Sequence, residues 1–140
     1  MSFGMKPTRW RLQRFEFPKY WEQIIEEFQS PSEVLSRLKL LCTCDEPEEA
    51  EGTSFFLIDE SENRMQVGCS GEGWVVMFFP RSGAARIAVG NDTAQGNKIF
   101  LLPEWTPVPR KHLLTIEVAE NVVKEWMLNG SLSSEVSWGH

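Results

Sequence analysis

Thr115-Ile-Glu-Val-Ala-Glu-Asn-Val-Val-Lys-Glu-Trp-Met-Leu-Asn-Gly130 runs directly into Ser-Leu-Ser-Ser-Glu-Val-Ser-Trp-Gly-His140. Ile116, Ala119, Val122, Val123, Trp126 and Met127 fall on one face at a period of 3.6 residues, which predicts an amphipathic α-helix. Thr115 is placed to cap its first turn, where backbone N–H groups lack partners. Gly130 is placed to end it, because a glycine adopts the left-handed conformation at no steric cost. Val136 and Trp138 then alternate with Ser137, the pattern of a short half-buried strand.

Upstream, the period is two. Ser54–Asp59, Arg64–Cys69, Trp74–Phe79, Ala85–Val89 and Lys98–Leu102 read as strands. Gly- and Asn-bearing loops separate them, as in an antiparallel meander. Trp74-Val-Val-Met-Phe-Phe79 is the most continuous apolar run and is expected in the sheet centre. Pro103, Pro107 and Pro109 predict an extended connector over 103–110.

Before the strands, Trp21, Ile24, Ile25 and Phe28 recur at i, i+3, i+4 and i+7, which predicts a helix over residues 19–29. Ser30-Pro-Ser-Glu33 fits a capping box opening a second helix, with Val34, Leu35, Leu38 and Leu41 on its apolar face. Trp10 and Leu12 fit a short strand, and residues 1–8 are expected to be loose. The expected fold is therefore α+β: an antiparallel β-meander with N-terminal helices and one C-terminal helix packed on one face, ending in a short strand. At 140 residues, one domain spanning 1–140 is expected.

Net charge is −6. Residues 1–19 hold Lys6, Arg9, Arg11, Arg14 and Lys19 against Glu16, while the remainder holds nine basic and nineteen acidic residues. An acidic body argues against nucleic acid as partner, since phosphate contacts need clustered Lys and Arg. It suits a basic protein partner. No apolar run approaches the length of a membrane span, so no membrane is expected as partner. The three cysteines, Cys42, Cys44 and Cys69, form no disulfide framework by count, and no signal-peptide core is visible. A reduced, cytoplasmic protein is expected.

Catalytic chemistry finds little support. Cys42-x-Cys44 lacks the four ligands of a structural zinc site, so neither metal nor cofactor is expected. His112 is the only internal histidine and stands in an Arg-Lys-His run after prolines, which suggests an exposed linker position rather than a catalytic base. No carboxylate pair is singled out by spacing. Gly68-Cys-Ser-Gly71-Glu-Gly73 lacks the Gly-Lys-Ser/Thr ending of a phosphate loop and precedes a strand, so it reads as a hairpin turn.

Two stretches, Met65–Phe79 and Leu114–Trp138, together resemble the first-numbered immunity protein family of bacterial polymorphic toxin systems. The shared pattern is a strand, a glycine-rich turn and an apolar strand, then a helix with an aromatic near its end, a glycine stop and a terminal Val-x-Trp. Gly68, Gly71, Gly73, Trp126, Gly130 and Trp138 are the motif residues, and all have structural roles in that pattern. The chain departs from it at Ser133, where the family often has proline, and at Trp126, where many relatives have Phe.

The resemblance implies a non-enzymatic protein that binds a cognate toxin domain and blocks it. Such toxins are often nucleic-acid-targeting, deaminase- or nuclease-like, with basic clefts that an acidic surface would occupy. On that implication the loop acids Asp45, Glu46, Glu48, Glu49, Glu51, Glu60, Glu62, Glu72 and Asp92 are the expected toxin contacts, with Trp105 as an aromatic anchor. Two alternatives stay open: a small ligand-binding or enzymatic α+β domain with a pocket between sheet and helices, and a scaffolding module.

Overall fold

The computed structural model describes residues 9–15, 23–43, 54–70, 72–101 and 105–139. Its strands are β1 (Trp10–Phe15), β2 (Gln23–Phe28), β3 (Ser54–Asp59), β4 (Arg64–Gly68), β5 (Val75–Phe79), β6 (Arg86–Val89), β7 (Asn97–Leu101), β8 (Trp105–Pro109) and β9 (Ser137–Gly139). The helices are α1 (Pro31–Thr43) and α2 (Ile116–Asn129), with a single 3-10 turn at Arg110–His112. Seven strands form one sheet in the order β2-β1-β3-β4-β5-β6-β9, and β7 pairs with β8 in a separate ribbon. Each of these pairings is antiparallel. The expected α+β class holds.

Alternation sorts the strand residues onto two faces. Leu12, Phe55, Leu57, Met65, Val67, Val76 and Phe78 pack with Val34 and Leu38 of α1 and with Ala119, Val122, Val123, Trp126 and Met127 of α2. Both helices therefore share one face of the sheet. Each fully buried side chain of this size adds about 1.5–3 kcal/mol of hydrophobic stabilisation before the cost of ordering it. On the opposite, outer face the β7–β8 ribbon packs Phe100 and Val108 against Val75, Met77 and Ile87. The close fit occurs at Gly68, where an added Cβ would lie 2.9 Å from the Phe100 ring.

The C-terminal helix, its cap and its stop stand as read, but Ile116 is 41% exposed rather than packed, and β9 begins at Ser137, after Val136. The Thr115 side chain accepts a hydrogen bond from the Val118 N–H, and Gly130 ends α2 at φ 68° and ψ 19°. Trp138 lies on β9 opposite Ala88, closing the sheet beside β6. Its indole Nε1 donates to the Ser133 carbonyl at 2.9 Å, and the Ser133 hydroxyl accepts from the Glu135 N–H at 3.1 Å. Ser133 thus braces the turn into β9 through both its hydroxyl and its carbonyl.

Three expectations fail locally. Residues 23–28, expected within a helix over 19–29, form strand β2, and 19–22 lie outside the described residues. The apolar spacing fits a helical period and not strict alternation, so six-residue pairing with β1, from Trp10 opposite Phe28 to Phe15 opposite Gln23, overrides it. The proline-rich connector contains β8. Pro107 and Pro109 share one parity, while Arg110 N donates to Gly96 O on the other, so the missing donors lie on the unpaired edge. The Trp74–Phe79 strand is interior but fifth of seven; β4 is central. The expected looseness of residues 1–8 falls outside the described residues.

Candidate functional site

The β3–β4 turn is braced by a set of side-chain hydrogen bonds. The Asp59 carboxylate accepts from the Ser61 and Asn63 N–H groups, both at 2.9 Å, and from Asn63 Nδ2 at 3.2 Å. Asn63 Oδ1 in turn accepts from Arg81 N at 2.9 Å, tying the turn to the end of β5. This brace holds Glu62 at φ 65°, a conformation non-glycine residues rarely adopt. The Glu62 carboxylate receives Arg11 Nη2 at 2.8 Å, and Glu60 Oε1 accepts from Arg9 N at 2.9 Å. With Glu27 and Ile58 these groups line a cleft of about 290 Å³.

Next to it, register builds a cluster from three strands. Ile58 stands opposite Arg64, and Arg64 opposite Phe79. One step along, Phe56 stands opposite Gln66, and Gln66 opposite Met77. The Arg64 guanidinium carbon lies 5.5 Å from the Phe56 ring centroid and 5.9 Å from that of Phe79. The rings themselves are 6.3 Å apart, tilted by 50°. The exposed Arg64 thus lies beside two half-buried aromatic rings, at the outer range of cation–π attraction to each. Gln66 is 3% exposed, and its Nε2 has no hydrogen-bond partner.

The described members of the expected contact set fall in two groups. Glu60 and Glu62 come together on the β3–β4 turn. Glu72 lies in the β4–β5 turn, beyond the pairing of Gly68 with Val75 at the other end of those strands. Asp92 follows β6 at that same far end, where the backbone N–H groups of Gly90 and Asn91 donate to the Lys111 carbonyl. Roughly five strand residues, about 17 Å, separate the two groups. Asp45, Glu46, Glu48, Glu49 and Glu51 lie outside the described residues, and Trp105 opens β8 with its side chain outside the description.

Basic partners accompany the acids at both ends. Glu72 accepts from Arg110 Nε at 2.9 Å and Nη2 at 3.3 Å, with Lys98 Nζ at 3.7 Å. Hydrogen bonding to Arg110 holds the Glu72 carboxyl below its ordinary range, with Coulombic help from Arg110 and Lys98 against a smaller desolvation penalty. The same pairing raises Arg110. Glu72 therefore clips the base of the ribbon to the β4–β5 turn. Ser70 and Gly73 complete that turn, with Ser70 Oγ donating to Gly73 O at 2.7 Å, while Gly71 lies outside the described residues.

Two chemical expectations are corrected. His112 is buried, not exposed: it sits in the 3-10 turn with Nδ1 3.0 Å from the Ala88 carbonyl. Pairing with a carbonyl oxygen fixes Nδ1 as the protonated nitrogen. The prolines that suggested a linker instead belong to a strand that folds His112 back against β6. Cys69 is disulfide-bonded, against the expectation of a fully reduced chain. Cysteine count excludes a framework of several bridges but not a single one.

Among the described residues no cluster of three His, Cys, Asp or Glu side chains could hold a metal ion. No described helix is long and apolar enough to cross a membrane. A second cleft, of about 460 Å³, lies between β6, the start of α2 and the residues leading into β9. Its lining includes Gly90, Leu114, Thr115, Val118, Glu135 and Val136. Arg64 and its aromatic neighbours escaped the sequence reading. The signal was present in part: Met65 and Val67 alternate with Arg64 and Gln66, which places those two together on the face away from the main core.

Comparison with known protein families, curated proteins and solved structures returns no match.

Proposed function

We propose that the chain is an immunity protein that binds a cognate polymorphic toxin domain and neutralises it by covering its active site, without doing chemistry itself. The supporting observation is that the two stretches carrying the family resemblance, separated by the 34 residues 80–113, pack into one unit. Phe78 of the first meets Trp126 of the second edge to face, with ring centroids 6.0 Å apart. Trp74 and Leu114 exchange backbone hydrogen bonds of 2.9 and 2.8 Å. The motif residues thus serve the frame, leaving the outer face and its turns to vary with the partner.

The toxin in this reading is nucleic-acid-targeting, deaminase- or nuclease-like. Its substrate cleft is basic, and the acidic surface of the chain meets it with complementary charge. The seat of action is the cytoplasm, where such a toxin would meet nucleic acid. The space between sheet and helices is filled by the main core. A ligand pocket in that location is therefore disfavoured. The cleft of about 460 Å³ beside α2 keeps a small-ligand reading as second choice.

The test is co-expression with the product of the adjacent upstream gene. Rescue of growth and a stoichiometric complex support the immunity reading. Unimpaired growth without the chain, together with no complex, refutes it. Reversing the charges of Asp45–Glu51 in a forming complex should slow association; an unchanged rate removes that loop from the interface.

A further inference from the structure

We infer that the bridge at Cys69 is exchangeable: the third cysteine of the chain is an internal nucleophile that moves the cross-link between Cys42–Cys69 and Cys44–Cys69. The inference concerns the chain's own thiol chemistry and stands apart from the immunity reading.

Cys69 is disulfide-bonded and the chain has three cysteines, so its partner is Cys42 or Cys44, and the other of that pair keeps its thiol. Only Thr43 separates the two. Cys44 and the side chain of Cys42 lie outside the described residues, yet covalent geometry alone bounds their separation. Two residues of chain span at most about 7 Å from Cα to Cα in any conformation, about the distance that a disulfide itself bridges. The free thiol is thereby tethered beside the bridge at a high effective concentration.

Position sets which thiol has access. Cys69 directly follows Gly68 at the end of β4, is 3% exposed and belongs to the main core cluster. A thiol dissolved in water therefore has little access to its sulfur. The other end of the bridge is at the C-terminal end of α1, whose last residue is Thr43, beyond the turns packed at Val34 and Leu38.

The step is a thiol–disulfide exchange with no net oxidation or reduction. The free cysteine loses its proton to water, and its thiolate attacks a bridge sulfur. Attack on Cys69 Sγ forms a new S–S bond there and releases the former partner as a thiolate, which takes up a proton. Attack on the partner sulfur closes Cys42 to Cys44 and releases Cys69, untying α1 from β4. The two Cys69 linkages close loops that differ by two residues, too small an entropic difference to select one of them. Both loops enclose Asp45, Glu46, Glu48, Glu49 and Glu51. In a reducing compartment a bridge is typically transient, and a thiol poised beside it is what makes it reversible.

The test maps the bridges of the folded, full-length protein. Wild type is held without added thiol at about pH 8.5, where an ordinary thiol is half ionised. It is then quenched in acid and digested with pepsin at low pH, which stops exchange during cleavage. Mass spectrometry should find Cys69 joined to Cys42 in part of the sample and to Cys44 in the rest, the rarer linkage at about a tenth of the total or more. Cys42→Ser and Cys44→Ser should each still bridge Cys69, with thermal midpoints near that of wild type. A single linkage in wild type overturns the inference, as do three free thiols. Two free thiols in a folded variant overturn it as well. Where a variant fails to fold, the wild-type map alone decides.

Discussion

Phe78 and Trp126 meet edge to face, their ring planes at 67°, where α2 crosses the inner face of β5. Both side chains are fully buried, and they join the central sheet to the C-terminal helix. The Trp126 indole N–H has no hydrogen-bond partner. Trp126→Ala should destabilise by about 3–5 kcal/mol, combining lost transfer energy with the cavity left behind. Trp126→Phe, the residue many members of the resembled family carry, removes the unpaired donor while opening a smaller void. It should cost about 1–2 kcal/mol. Urea unfolding midpoints of the two variants check the ranking; an equal loss would show that volume does not control this contact.

Gly90 is required by proximity. A Cβ there would fall 2.2 Å from the Leu113 carbonyl oxygen, and that backbone is held by the hydrogen bonds of Gly90 and Asn91 to Lys111. Gly90→Ala should destabilise by about 2 kcal/mol or more. Gly83→Ala has no such neighbour, since the nearest atom to its Cβ would be the flexible ring of Pro80 at 3.6 Å. It retains only the strain of its φ of 114° and should be the milder change. Thermal midpoints of the pair decide the point.

The Glu72–Arg110 pair makes a signed prediction for pH. Folding lowers the Glu72 pKa, so its contribution is present above the unfolded value of 4.5 and is lost as pH falls through the lower folded value. Glu72→Gln should therefore reduce stability at neutral pH and match wild type increasingly closely below pH 4.5. The pair is exposed, so the effect is small and should shrink further in high salt. Chemical denaturation at pH 7 and pH 3, with and without added salt, measures it.

The disulfide at Cys69 is testable without a partner. Alkylation under denaturing, non-reducing conditions should label one of the three cysteines, and reduction should expose the other two. Reduction should also lower stability, by about 2–4 kcal/mol for a typical bridge. Three labelled cysteines before reduction would show the chain to be fully reduced.

Much of the architecture was legible because its signals are local. The strands from Ser54 to Val89 alternate between turns bearing Gly or Asn, and α2 carries its own cap and stop. β2 was not legible, since Ile24, Ile25 and Phe28 satisfy a helical period and only β1 pairing selects the strand. β8 was hidden by Pro107 and Pro109, which are tolerated because their edge is unpaired. Glu62 and Glu72 are ten positions apart, and β4 carries them to opposite ends of its length, a separation that composition does not show. The approach of Arg64 to two rings depends on three-strand register, which brings Phe56 and Phe79 beside it from separate strands. Composition marks these residues as polar or aromatic, but not as neighbours.

The proline-bearing margin of β8 has a colloidal consequence. An unpaired strand margin is a template on which another chain can extend a sheet, and proline removes the donors such growth needs. β9 offers only three residues at its end of the sheet. Among the described strands, unbroken templates remain along β2, with six residues, and β7, with five. β2 carries Glu26 and Glu27, and β7 carries Lys98, charges that discourage stacking of like strands. When the protein is concentrated, or its folding is interrupted, strand-mediated clumping should start from those two margins, and β2, as the longer of them, sets its shelf life.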